Sequence, residues 1–107
     1  MSERRRGERV LLRVPVKIIA LDHDNQHFNE NAETVVVSRS GALIRTSVPV
    51  KAGSQMEVRN TFTQDTEQFR VVWVADKAKE GKFDIGVELL NPRDDFWGVR
   101  FPSRARK

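Results

Sequence analysis

Apolar side chains recur at every second position through most of this chain, and that period argues against a helical fold. In VLLRVPVKIIAL (10–21) one face carries Val10, Leu12, Val14, Val16, Ile18 and Ala20, and the other carries Leu11, Arg13, Pro15, Lys17 and Ile19. A period of two belongs to a strand with one buried face, and Pro15 marks an edge or bulge within it. DHDNQ (22–26) is dense in turn formers and predicts a hairpin, with the returning strand over 28–37. A short third strand is expected over 41–46, followed by a connection rich in turn residues, VPVKAGS. Met56 and Val58 alternate with Glu57 and Arg59 in a fourth strand. FRVVWVAD (69–76) sets Phe69, Val71, Trp73 and Ala75 on one face and Arg70, Val72 and Val74 on the other. KAKEGK then turns the chain into FDIGVELL (83–90), where Phe83, Ile85, Val87 and Leu89 alternate with Asp84, Gly86 and Glu88. Six strands with short connections and no amphipathic helix predict a six-stranded antiparallel β-barrel, because closure removes the sheet edges.

A chain of 107 residues has room for one such core. The barrel is expected over 10–103, preceded by a flexible basic arm over 1–9 and followed by a disordered basic tail over 104–107. In NPRDDFWGVRFP (91–102) alternation fails, yet Phe96, Trp97 and Phe101 would each forfeit roughly 1.5–3 kcal/mol if left in water. This aromatic segment is expected to fold back and plug one end of the barrel. The chain has no cysteine, so disulfides and thiolate metal sites are excluded. No apolar run approaches the length of a spanning helix or a signal sequence. The expectation is a cytoplasmic protein without membrane insertion.

Charge is segregated. Residues 1–17 carry a net +4 and residues 100–107 another +4, against +4 for the whole chain, so the body between them is acidic at −4. Basic ends on an acidic body point to an anionic partner met by the termini. Catalysis is not expected. The two histidines, His23 and His27, fall in or beside the predicted turn, and the carboxylates are scattered singly on solvent faces. Asp22, His23, Asp24 and His27 have metal-ligand chemistry, but turns are rich in Asp and Asn for backbone reasons. No catalytic residue, metal or cofactor is assigned.

Two stretches suit an anion. RRRGER (4–9) gathers four arginines, whose planar forks pair with phosphate or with O6 and N7 of guanine. Ser38-Arg39-Ser40-Gly41 interrupts an apolar run with hydroxyls, backbone N–H groups and a residue able to take positive φ, the components of an anion-binding nest. Together these stretches resemble the signature of the PilZ domain, a small bacterial β-barrel that senses cyclic di-GMP. That signature is RxxxR ahead of the first strand and (D/N)xSxxG between two strands. Arg5 to Arg9 matches the first part, and Ser38 and Gly41 match the second; RVLLRVPV, SGALI and FDIGVELL resemble the flanking strands. The resemblance implies that Arg5 and Arg9 grip phosphates and guanine edges, with Ser38 and Gly41 supporting the ligand and Arg4, Arg6 and Arg39 assisting. It further implies that binding draws the arm onto the barrel and so signals to an effector protein.

The departure is Val36, which stands where the family has Asp or Asn. By the period-two rule it projects to the same side as Ser38, into the expected site. Loss of a base-directed pair costs roughly 1–3 kcal/mol, on the order of ten- to a hundredfold in affinity. The alternative reading is therefore a PilZ-type adaptor that has lost nucleotide binding and acts through protein contacts. A third is a small-barrel nucleic-acid binder, disfavoured here because Phe69, Trp73 and Phe83 fall on the apolar faces of their strands rather than on an exposed stacking surface.

Overall fold

The structure, a computed structural model, describes residues 9–22, 24–91, 93 and 95–98. These form seven strands: β1 (Val10–Leu11), β2 (Pro15–Leu21), β3 (His27–Val37), β4 (Gly41–Thr46), β5 (Gln55–Asn60), β6 (Thr66–Val74) and β7 (Phe83–Leu89). No helix long and apolar enough to cross a membrane occurs among the described residues. All pairings are antiparallel and run β3–β2–β5–β6–β7–β4, and β4 pairs back with β3. The result is the closed six-stranded barrel that the alternation predicts, with β1 as an extra short strand on β3.

The turns follow local chemistry. In the first hairpin Asp22 Oδ1 accepts from the N–H groups of Asp24 and Gln26, both at 2.9 Å, and Asn25 takes φ 63°. This is the self-capping turn that Asx residues favour. Val16 and Ile18 of β2, Val37 of β3, Ile44 of β4, Met56 and Val58 of β5, Phe69 and Val71 of β6, and Ile85 and Val87 of β7 point inward and are buried. Glu30 of β3 ties down the exit of β4 by accepting from the Thr46 and Ser47 hydroxyls and the Ser47 N–H. Partial burial pushes the Glu30 carboxyl up, but these hydrogen bonds outweigh it and hold the group below its ordinary value.

Two departures from simple alternation matter. The first predicted strand is not continuous: it breaks over residues 12–14 into β1 and β2, immediately ahead of Pro15. The fifth carries a bulge between Val71 and Trp73. The extra residue flips Trp73 out of the core position expected for it, leaving it 51% exposed beside an equally exposed Val72.

The aromatic segment plugs the barrel as its composition predicts. Phe96 and Trp97 are buried and pack edge-to-face at 4.8 Å, and both contact the Phe69 ring, at 5.4 and 5.9 Å. Buried Asn60 fastens the plug by donating from Nδ2 to the Phe96 carbonyl at 2.9 Å. Arg93 lies 5.8 Å from the Phe96 ring centroid and donates to Asp95, Glu67 and Asp65 at 2.8–3.1 Å. The hydrogen bond to Asp95, then that to Glu67, raises its basicity further. Phe101 and residues 104–107 lie outside the described residues. Phe96→Ala should cost about 3–5 kcal/mol, a large share of the stability of a domain this size. Denaturant titration should show that loss, whereas Phe62→Ala, at a side chain 75% exposed, should shift stability by less than about 0.5 kcal/mol.

Candidate functional site

The break in the first strand rests on one buried hydroxyl. Thr34 Oγ1 accepts from the Val14 N–H at 2.8 Å and donates to the Leu12 carbonyl at 2.6 Å, while the Thr34 N–H reaches the Val14 carbonyl at 3.1 Å. The side chain thereby satisfies the Val14 N–H and the Leu12 carbonyl, while the Leu12 N–H and the Val14 carbonyl keep backbone bonds to Val35 and Thr34. Beyond it, β1 rejoins β3 with Val10 opposite Val37 and Leu11 opposite Val36. Arg9, directly before β1, is thus carried to the mouth of the turn that joins β3 and β4.

That turn is tight. The Ser38 N–H donates to the Gly41 carbonyl at 2.9 Å, and the Gly41 N–H donates to Ser38 Oγ at 3.2 Å. The anion nest expected here is therefore not formed by these two N–H groups, which are taken up inside the turn. Nor does Gly41 supply positive φ: the described glycines that do so are Gly53, Gly81 and Gly98. Its requirement is steric. A Cβ at position 41 would lie 2.1 Å from the Val87 carbonyl oxygen, so only glycine lets β4 come this close to β7.

A cleft of about 420 Å³ opens on the outer face of the barrel beside this turn, bordered by Arg9, Leu11, Val36, Ser38, Gly41, Leu43, Val72, Gly86 and Glu88 among others. Its floor, from Leu11 to Gly86, belongs to a cross-strand row that continues to Trp73, which does not itself line the cleft. Leu11 pairs with Val36, Val36 with Leu43, Leu43 with Gly86, and Gly86 with Trp73. The row crosses five strands, about 19 Å of sheet. An outward row this apolar is unusual on a barrel whose other outward positions are mostly polar, and Leu11 in it is 82% exposed. Gly86 leaves a shallow trough, because a Cβ there would sit 3.5 Å from the Trp73 Cβ.

Of the residues singled out from sequence, Arg9, Ser38 and Gly41 border this cleft together with Val36. Arg39 is half-buried and does not line it. Arg4, Arg5 and Arg6 lie outside the described residues, as does His23 of the turn cluster. No group of metal ligands forms among the described residues. Leu11, Leu43, Val72, Gly86 and Glu88 escaped the sequence reading, and Trp73 was assigned to the core. The tract Val71-Val72-Trp73-Val74 is apolar on both faces, so its bulge leaves no mark in the hydropathy pattern.

With this geometry the chain matches the family model for the PilZ domain over residues 3–97, nearly its whole length, and it belongs to that family. The family's role is that of a cyclic di-GMP receptor, and its members are generally binding domains. No curated protein matches the chain. Thr34→Val, which keeps shape but removes the hydroxyl, should cost about 1–3 kcal/mol by leaving the buried Val14 N–H and Leu12 carbonyl without their partner. Amide hydrogen exchange at Val14 should accelerate accordingly.

Proposed function

We propose that this chain binds cyclic di-GMP in the cleft beside the Ser38–Gly41 turn, without a cofactor, and passes the signal to an effector protein. The observation that carries the reading is the convergence of Arg9, Ser38 and Gly41 on one cleft with an apolar floor. A purine ring needs a flat apolar surface and a polar grip at its edges, and the row from Leu11 to Gly86 offers the first. Arg9, with Arg5 and with help from Arg4 and Arg6, supplies the second by pairing with phosphate oxygens and guanine O6 and N7. Val36 fits this surface as part of the floor: it contributes contact area where the family signature contributes a hydrogen bond. Binding draws the segment carrying Arg4, Arg5 and Arg6 onto the barrel beside Arg9, and this rearrangement is what the effector reads.

Calorimetric titration of cyclic di-GMP tests the reading. Micromolar or tighter binding is expected, lost in the Arg5→Ala/Arg9→Ala double variant; absence of heat at millimolar ligand in the unaltered chain would count decisively against it. Val36→Asp, which restores the signature, should tighten binding by on the order of ten- to a hundredfold, the value of one base-directed pair of roughly 1–3 kcal/mol.

A further inference from the structure

Position 36 offers no polar atom to a base, yet the cleft does hold a carboxylate that the family signature does not include. Glu88 of β7 stands opposite Gly41 on one side and Arg70 on the other, and it borders the cleft. Arg70 faces it across the strand pair, yet no ion pair forms, and the Glu88 carboxylate has no hydrogen-bond partner among the described residues. Because Gly41 has no side chain, nothing at that position stands between the carboxylate and the turn. Arg9, at the opposite end of the cleft, likewise makes no ion pair among the described residues. The cleft is therefore bipolar, with a cation by β1, an anion on β7, and an apolar floor about three strand spacings, or about 14 Å, between them.

We infer that Glu88 is the specificity-determining residue of this cleft, accepting hydrogen bonds from N1–H and the N2 amine of a guanine whose opposite edge faces Arg9. The inference rests on the proposed nucleotide site. Guanine carries acceptors on one edge (O6 and N7) and donors on another (N1–H and N2–H₂), so a guanidinium and a carboxylate on opposite sides of one ring complement it. Adenine cannot satisfy the same pair. Its N1 is an acceptor and would place a lone pair against the carboxylate, and its N6 amine would meet the arginine donors. A carboxylate reached from β7 thus supplies base recognition that valine on β3 cannot.

The test compares cyclic di-GMP with cyclic di-AMP on the unaltered chain and on Glu88→Gln. Glu88 is exposed, so this isosteric change leaves the fold intact, which a thermal melt verifies. The unaltered chain should prefer cyclic di-GMP. In Glu88→Gln the affinity for cyclic di-GMP should fall at least about tenfold. Cyclic di-AMP should hold steady or bind tighter, so the preference shrinks by about the same factor. If Glu88→Gln tightens both ligands equally, Glu88 acts only as a charge repelling phosphate and the inference is overturned. An unchanged ratio overturns it as well, while the proposed receptor function stands. If the unaltered chain binds neither ligand, that function falls and this inference falls with it.

Discussion

The Thr34 hydroxyl is the contact on which the outer face of the barrel depends. A continuous first strand would pair with β3 along its whole length and need no side chain to complete its ladder. Here the regular pairing with β3 lapses over three residues: the Leu12 N–H and the Val14 carbonyl keep backbone bonds to β3, and a fully buried threonine takes the Leu12 carbonyl and the Val14 N–H with one hydrogen bond given and one received. A buried N–H or carbonyl without a partner costs about as much as several solvent-exposed contacts can return. The break is therefore tolerable only because of this residue. Through it β1 becomes a separate piece, holding Leu11 over Val36 and Arg9 beside the turn.

Much of the barrel was legible in the sequence because burial on one face leaves a period-two imprint. The hairpin at Asp22, the start of β4 at Gly41 and the aromatic plug at Phe96 and Trp97 were all read from residue chemistry, and the structure agrees. What alternation does not encode is a one-residue slip inside a run that is apolar on both faces. Trp73 was misplaced for that reason, since Val72 and Val74 on either side are as apolar as the residues they alternate with. Thr34 was equally hidden: a threonine ahead of three valines reads as an ordinary strand residue, and only the path of a distant segment reveals what its hydroxyl does. The property expected of Gly41, a positive φ, is not the one it serves, because a one-dimensional pattern cannot show the Val87 carbonyl standing where a methyl group would go.

The same slip alters how Val36 is understood. Taken alone, a valine in place of an acid or amide reads as a deletion from a hydrogen-bonding site. Seen in register with Leu11, Leu43, Gly86 and Trp73, it completes an unbroken apolar row with charge at both flanks. The chemistry of the cleft is thus distributed differently from the family signature, with polarity at the edges and contact area in the middle.

The two glycines that flank this cleft differ in what they answer to. At position 41 the backbone itself demands glycine, since any side chain would force β4 from β7. At position 86 an added methyl would meet Trp73 and Val72 only at ordinary van der Waals distance. The fold has no need of glycine there; the open trough does. Position 86 is consequently where a lineage can shut or reopen the cleft by single substitutions while the barrel remains intact, so that the capacity to bind and the capacity to fold drift independently.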